Sequence, residues 1–426
     1  MRTERYLTLI IAALFACVSY SCEEGDRYSV SGNDKTPPGI PTIDSIVPIY
    51  GGGRVFFTPP KDEDLLSVNA EYTNANGKTF YFTASYFSDS LDVIGFGDTL
   101  LHKVKIYAMD RAGNHSEEKL HEIRPLEPTI SRVKKSLKVM PGFSSLLVDW
   151  ENELERSVNV YVYFKYTQQG VVRDLVSVFS SNKLTERRYI NNLIPDGTID
   201  VKLQIEDTYG NSTGIIETGE PLTLKEDMKL PKKDWRFPNA NDSIAGVPMM
   251  FGDNLEGRVA KICDDIIDRG DNLNFLHTGG RGRTGLSGIA NQNMPWNLII
   301  DLGGYYRLSR IITVQRHSGG LENISRGQYY KYENVGYYAL HILNEQTNQW
   351  DSITAHKIPV PVNISELEYV KLGEAGDMAY FYPDNPQYTP PTRWVRYEAL
   401  NCFDDNYSST SANCLSEVTL YGIKAN

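Results

Sequence analysis

Apolar positions in the last third of the chain come in short runs broken by turn residues. Met294-Pro295-Trp296-Asn297-Leu298-Ile299-Ile300-Asp301-Leu302-Gly303 reads as a strand entered through proline and left through a Gly-rich turn, because such residues punctuate strands. Residues 310–316 and 337–343 are further β-branched and apolar runs, too short for amphipathic helices. Residues 393–397 and 415–422 alternate apolar with polar side chains, the period of a half-buried strand. The pattern predicts a sheet over residues 233–426.

Upstream the pattern repeats. Lys105-Ile106-Tyr107-Ala108-Met109-Asp110-Arg111-Ala112-Gly113-Asn114 is echoed by Lys202-Leu203-Gln204-Ile205-Glu206-Asp207-Thr208-Tyr209-Gly210-Asn211, with Asp110 and Asp207 97 residues apart. Each is an alternating strand closed by Asp-x-x-Gly-Asn, where Gly and Asn supply turn dihedrals at low steric cost. An earlier strand in each copy carries a large aromatic, Phe57 and Trp150, of the size that anchors a two-sheet core. Prolines at 125, 128 and 231 mark breaks, since proline ends strands and stiffens linkers. The predicted units are residues 41–126 and 127–230, two sandwiches in series forming a semi-rigid stalk, and then 233–426.

Composition sharpens this into an all-β class. Among 426 residues, 27 Tyr, 34 Gly and 21 Pro favour strands and turns over helices. The net charge of −11 excludes a nucleic-acid partner, which needs a basic surface to neutralise phosphates. No paired-histidine, Cys-x-x-Cys, P-loop or Gly-x-Ser-x-Gly signature occurs, which argues against zinc, nucleotide and serine-hydrolase chemistry.

The N-terminus carries two arginines and then an apolar run too short to span a bilayer, the form of an export signal. A cysteine after such a run resembles a bacterial lipoprotein signal. Leu14-Phe15-Ala16-Cys17 matches the cleavage box, but Ser21-Cys22 is followed by Glu23-Glu24-Gly25-Asp26, like the acidic surface-export tag of Bacteroidetes lipoproteins. Cys22 is the favoured lipidation site, making 1–22 the signal and 23–40 a polar tether unable to bury a core. Export also permits disulfides. Cys402 and Cys414 bracket one short loop and are expected to pair, leaving Cys263 buried and free.

The repeated units resemble fibronectin type III sandwiches. The ordered pieces "PWNLIIDLGGYYRLSRI", "VQRHSG", "WDSI", "RWVRYEAL" and "LSEVTLYGI" resemble the discoidin family, or coagulation factor five/eight type C domains, a β jelly roll with galactose-binding-like members. The expected architecture is thus all-β: two Ig/fibronectin III-like sandwiches, then a discoidin-like jelly roll. The whole order resembles surface lipoproteins of Bacteroidetes polysaccharide-utilisation loci. It implies an outer-membrane lipid anchor, a glycan or polysaccharide ligand, and as partners a TonB-dependent transporter with its glycan-capturing lipoprotein.

Site residues come from the same resemblance. Asp268-Arg269-Gly270-Asp271 and Glu417 match the segments that hold a structural Ca²⁺, although Arg269 and Leu276 depart from the pattern. Arg316, His317 and Phe403 match loop positions that contact sugar, and Trp296 is a further candidate. Sugar sites need aromatic faces beside hydrogen-bonding groups, and Tyr329-Tyr330-Lys331-Tyr332 offers more of both. Trp350 and Trp394 sit in strand patterns and read as core. Gly280–Gly285 fits Gly-x-Gly-x-x-Gly but lacks the strand and helix that a dinucleotide site requires. Arg269-Gly270-Asp271 is a chance tripeptide, and Asp62-Glu63-Asp64 reads as a solvated loop. Three readings stand in order: a non-enzymatic glycan-binding lipoprotein, an interaction subunit of an uptake complex, and a glycan-degrading enzyme, which two carboxylates would suffice to make.

Overall fold

The computed structural model describes residues 34–238, 242–248, 259–270, 274–277, 294–317, 328–362, 364–404 and 413–425. The first sandwich runs β1 (Thr42–Ile49), β2 (Gly52–Thr58), β3 (Leu65–Thr73), β4 (Thr79–Ser85), β5 (Ser90–Ile94), β6 (His102–Asp110) and β7 (Lys119–Ile123). The second begins with a short helix, α1 (Thr129–Ser136), and continues through β8 (Lys138–Pro141), β9 (Leu146–Glu151), β10 (Val158–Gln168), β11 (Val171–Ser181), β12 (Thr185–Ile190), β13 (Thr198–Asp207), β14 (Ile216–Glu217) and β15 (Leu222–Thr223). Sheets β1-β2-β5 and β4-β3-β6-β7 recur as β8-β9-β12 and β11-β10-β13-β14. The sequence repeat is therefore a repeat of topology.

Period-two patterning makes these sheets one-sided. Val158, Val160, Val162, Phe164 and Tyr166 of β10 are buried while their neighbours are not, so a single face meets the opposing sheet. Trp150 and Phe57 lie in the two cores, as their positions predict. The repeated turn is identical at atomic level. Asp110 Oδ1 and Oδ2 accept from the backbone N–H and the Nδ2 of Asn114 at 2.8 and 2.9 Å. Asp207 does the same with Asn211, both at 2.9 Å.

The second copy of the turn also grips the first sandwich. Asn211 Nδ2 donates to Gly95 O at 2.9 Å, Asn76 Nδ2 donates to Gly210 O at 2.8 Å, and Arg156 Nη1 donates to Tyr50 O at 2.7 Å. Buried side chains also join the second sandwich to the C-terminal unit. Phe143, Leu147 and Tyr380 form one cluster, flanked by Tyr189 and Tyr388.

The last unit comprises β16 (Met228–Lys229), a small hairpin of β17 (Ser243–Ile244) and β18 (Val247–Pro248), β19 (Leu276–His277), β20 (Trp296–Val314), β21 (Val335–Asn344), β22 (Gln349–Lys357), α2 (Glu366–Ala375), β23 (Asp377–Tyr380), β24 (Thr392–Cys402), β25 (Cys414–Leu415) and β26 (Glu417–Lys424). Its main sheet has the order β16-β26-β20-β24-β21-β22, with β23 also on β20. This completes an all-β protein of two fibronectin III-like sandwiches and a discoidin-like jelly roll. Two sequence expectations change. The Asp-Leu-Gly-Gly segment is a bend inside β20 rather than a turn: Trp296–Asp301 pair with β24, and after the register shift Arg307–Val314 pair with β26. Gly303 permits the bend, having φ +71° and Asp234 O only 2.5 Å from where a Cβ would sit. Met228 and Lys229, expected within the second sandwich, pair with Gly422 and Tyr421 of β26, so this segment belongs to the jelly-roll sheet.

Candidate functional site

One end of the jelly roll is built around Asn334, a buried side chain whose amide uses both of its polar ends. Its Oδ1 accepts the Arg316 N–H at 2.9 Å, and its Nδ2 donates to Arg316 O and Gln328 O at 3.0 and 2.9 Å. Its backbone oxygen accepts the Phe403 N–H, the Glu333 oxygen accepts the Cys414 N–H, and the Tyr332 oxygen accepts the Asp404 N–H. Three chain segments distant in sequence thus meet at residues 332–334. A buried amide satisfied at both ends fixes its neighbours firmly.

The same end holds the aromatic run. Tyr329 and Tyr330 are buried, whereas Tyr332 is 43% exposed. Both Tyr330 and Tyr332 adopt left-handed backbone, φ 57° and 54°, which bulky residues rarely do and which costs free energy. The Tyr330 ring meets Tyr369 and Phe403 edge-on at 5.5 and 5.9 Å. Lys331 lies over the Tyr369 ring at 5.4 Å. Half-buried Phe403 and Asp404 complete the rim.

The four residues expected to contact sugar fare differently. Trp296 is 0% exposed and belongs to the core beside Tyr397. Strand alternation turns it inward, so it is no sugar platform. His317 is also buried: its backbone N–H donates to Asp268 Oδ2 at 3.1 Å and its ring stands edge-on to Tyr329. Arg316 is mostly buried and ion-paired to Glu333 at 3.0 Å, over the Phe275 ring, so it orders the rim from beneath. Of the four, Arg316 and Phe403 keep partial exposure, and the Arg316 guanidinium is taken up by Glu333. Trp350 and Trp394 pack partly buried against the core, as their strand positions predict. Sequence reasoning noticed the Tyr329–Tyr332 run but not which ring faces out, and it missed Asn334.

Asp268 and Glu417, two of the residues that the resemblance assigns to calcium, have partners that do not fit the ion. Asp268 is buried, with Oδ1 accepting the Gly270 N–H at 2.8 Å and Oδ2 the His317 N–H. Asp271 lies outside the described residues. Glu417 is buried against the ammonium of Lys232, so a positive charge already occupies the place where Ca²⁺ would need six or more oxygens. Desolvation pushes Glu417 up to about 7, with Lys232 opposing it. Among the described residues, three carboxylates do meet elsewhere: Asp34, Asp64 and Asp110. Asp64 lies in the turn before β3 and is partly exposed, with Asp62 and Glu63 exposed beside it, the loop that the sequence suggests.

The expected disulfide is not formed; Cys263, Cys402 and Cys414 are free and buried. Cys402 Sγ faces Glu333 O and Asn413 Nδ2 at 3.4 and 3.1 Å, whereas Cys414 Sγ faces Arg316 Nη1 at 3.5 Å. The two sulfurs are directed at different partners, and a disulfide needs converging Cβ vectors. Cys17, Cys22 and the Gly280–Gly285 motif lie outside the described residues, among which no helix is long and apolar enough to cross a membrane.

Residues 38–125 match a family described as Domain of unknown function (DUF4959), and residues 126–232 match Domain of unknown function (DUF5126). No curated protein matches the chain. Among solved structures, the chain is similar to a SusE-like protein, at 16% identity over 70% of this chain and 100% of that one, with TM-score 0.34. The family 32 CBM from C. perfringens NanJ in complex with galactose matches at 13% identity over 46% of this chain and 98% of its own, with TM-score 0.26. A two-domain fibronectin type III segment of chicken tenascin matches at 15% identity over 42% of this chain and 99% of its own, with TM-score 0.21. At such TM-scores, function has to be argued from this chain's own residues.

Proposed function

We propose that this chain is an outer-surface protein, anchored through lipid on Cys22, that binds a glycan at the Asn334 end of its jelly roll. The observation that carries the reading is Tyr332, an exposed ring on a strained left-handed backbone, set between buried Tyr330 and buried Asn334 two positions to either side. Strain of this kind persists where surrounding structure enforces it, commonly at ligand sites. An aromatic face flanked by Lys331, Asp404 and Phe403 supplies both stacking and hydrogen bonding for a sugar. The site is a rim rather than a deep pocket, so it binds with Kd on the order of 0.01–1 mM. Many lipid-tethered copies on one surface offset that weakness by avidity. The two sandwiches raise the site from the membrane, and the transporter with its capturing lipoprotein takes up the ligand. A glycan array of neutral and acidic polysaccharides, probed with the full mature chain, tests this: binding supports it and silence rejects it.

A second reading, an interaction subunit, is favoured by β11. It is the outer strand of its sheet, and Val172, Val176 and Val178 on it are 60%, 52% and 49% exposed. Such an edge invites pairing with another protein's strand. In that reading Val176→Lys abolishes assembly while leaving any glycan binding intact.

A further inference from the structure

We propose that the ammonium of Lys232 replaces the divalent cation of this kind of jelly roll, making the domain independent of metal and dependent on the segment that precedes it. The Lys232 side chain is only 5% exposed, and its Nζ contacts three oxygens: Glu417 Oε1, Asp265 Oδ1 at 2.7 Å and Thr419 Oγ1 at 2.9 Å. An ammonium has three donors, and all three are used. Strand register delivers it there. Met228 pairs with Gly422, Lys229 with Tyr421, and the Leu230 N–H donates to Leu420 O. The antiparallel course of the chain then carries Lys232 alongside Thr419 and Glu417.

The tie that an ion would provide between the 264–270 loop and the last strand is made by hydrogen bonds. The Asp268 N–H donates to Ser416 Oγ at 2.7 Å, and Ser416 Oγ donates to Asn274 O at 3.0 Å. Lys229 adds a second cation on Asp265 at 2.6 Å. Glu417 Oε2 is buried with no hydrogen-bond partner among the described residues, so Lys232 is the group that compensates this carboxylate. Removing one partner of a buried ion pair leaves an uncompensated charge, the costly case. A jelly roll cut at residue 233 would have the same defect, besides lacking β16.

Hydrogen exchange on the full mature chain, read by mass spectrometry over peptides covering 259–270 and 413–421, tests this locally. Wild type shows the same protection in EDTA and in millimolar calcium. Lys232→Met speeds exchange in both peptides by about tenfold or more, because a buried carboxylate is left unpaired. Adding Glu417→Gln to Lys232→Met restores most of the protection, since the stranded charge is then gone. Calcium-raised protection in wild type overturns the proposal, as does unchanged exchange in Lys232→Met. If the single variant fails to fold, a folded double variant supports the proposal and an unfolded one overturns it.

Discussion

The hydroxyl of Tyr380, in the jelly roll, lies 2.5 Å from Ser145 Oγ in the second sandwich. The Tyr380 ring meets Phe143 and Tyr189 at 5.7 and 5.5 Å, and Arg187 reaches across to Asp384 at 3.1 Å. A junction with its own apolar cluster couples the two units. Tyr380→Ala is expected to cost about 3–5 kcal/mol, as for other large-to-small changes at buried aromatic positions. Calorimetry should show the second sandwich and jelly roll melting together in wild type and separately in the variant. An unchanged single transition would contradict the coupling.

The first junction depends on Gly95, which has φ +96° and the Tyr209 ring 2.5 Å from the position of an added Cβ. Gly95→Ala should destabilise by about 1–3 kcal/mol through overpacking and backbone strain. Small-angle scattering should also show a changed angle between the sandwiches. Wild-type scattering and stability together would show that the contact does not set their arrangement.

Acid should loosen the jelly roll through Asp301. Burial pushes its carboxyl up, but the two-pronged contact with Arg393 at 2.7 Å and the Gly303 N–H outweigh that and hold it below the ordinary 3.8. A carboxylate with a depressed folded pKa contributes stability that is present above its unfolded value and lost as pH falls through the folded one. The contribution is modest because the Arg393 side chain is 43% exposed. Melting temperatures measured downward from neutral pH should fall more steeply for wild type than for Asp301→Asn. Parallel curves would remove Asp301 from the account.

The three described thiols should resist reagents in the native state. Desolvation pushes Cys414 up to about 12 and raises Cys263 well above its ordinary value, and buried thiols of this kind are inert. Ellman's reagent with peptide mapping afterwards should label Cys263, Cys402 and Cys414 only after denaturation. A Cys402–Cys414 peptide pair in the non-reduced map would contradict the free-thiol arrangement.

Local features were the ones legible in the sequence. Alternation at residues 105–109 and 202–206 and the Asp-x-x-Gly-Asn turns depend on residues a few positions apart, so the strands and the repeat could be read directly. Alternation does not reveal which face is inward, and Trp296 was therefore open until the core claimed it. Glycine permits a bend as readily as a turn, which is why β20 continues through Gly303. Lys232 looked like linker because its partner Glu417 is 185 residues away. Cysteine spacing likewise said nothing about where Cys402 and Cys414 direct their sulfurs. The left-handed backbone at Tyr330 and Tyr332 is imposed by tertiary contacts that no local pattern encodes.

The central claim concerns the Asn334 end of the jelly roll, and titration calorimetry tests it most directly. The full mature chain and Tyr332→Ala are titrated with the polysaccharide that gives the strongest array signal. The ring is exposed, so the melting temperature should change little. Loss of a stacking face should weaken affinity about tenfold, on the order of 1.4 kcal/mol. Equal affinity in wild type and Tyr332→Ala would contradict the account.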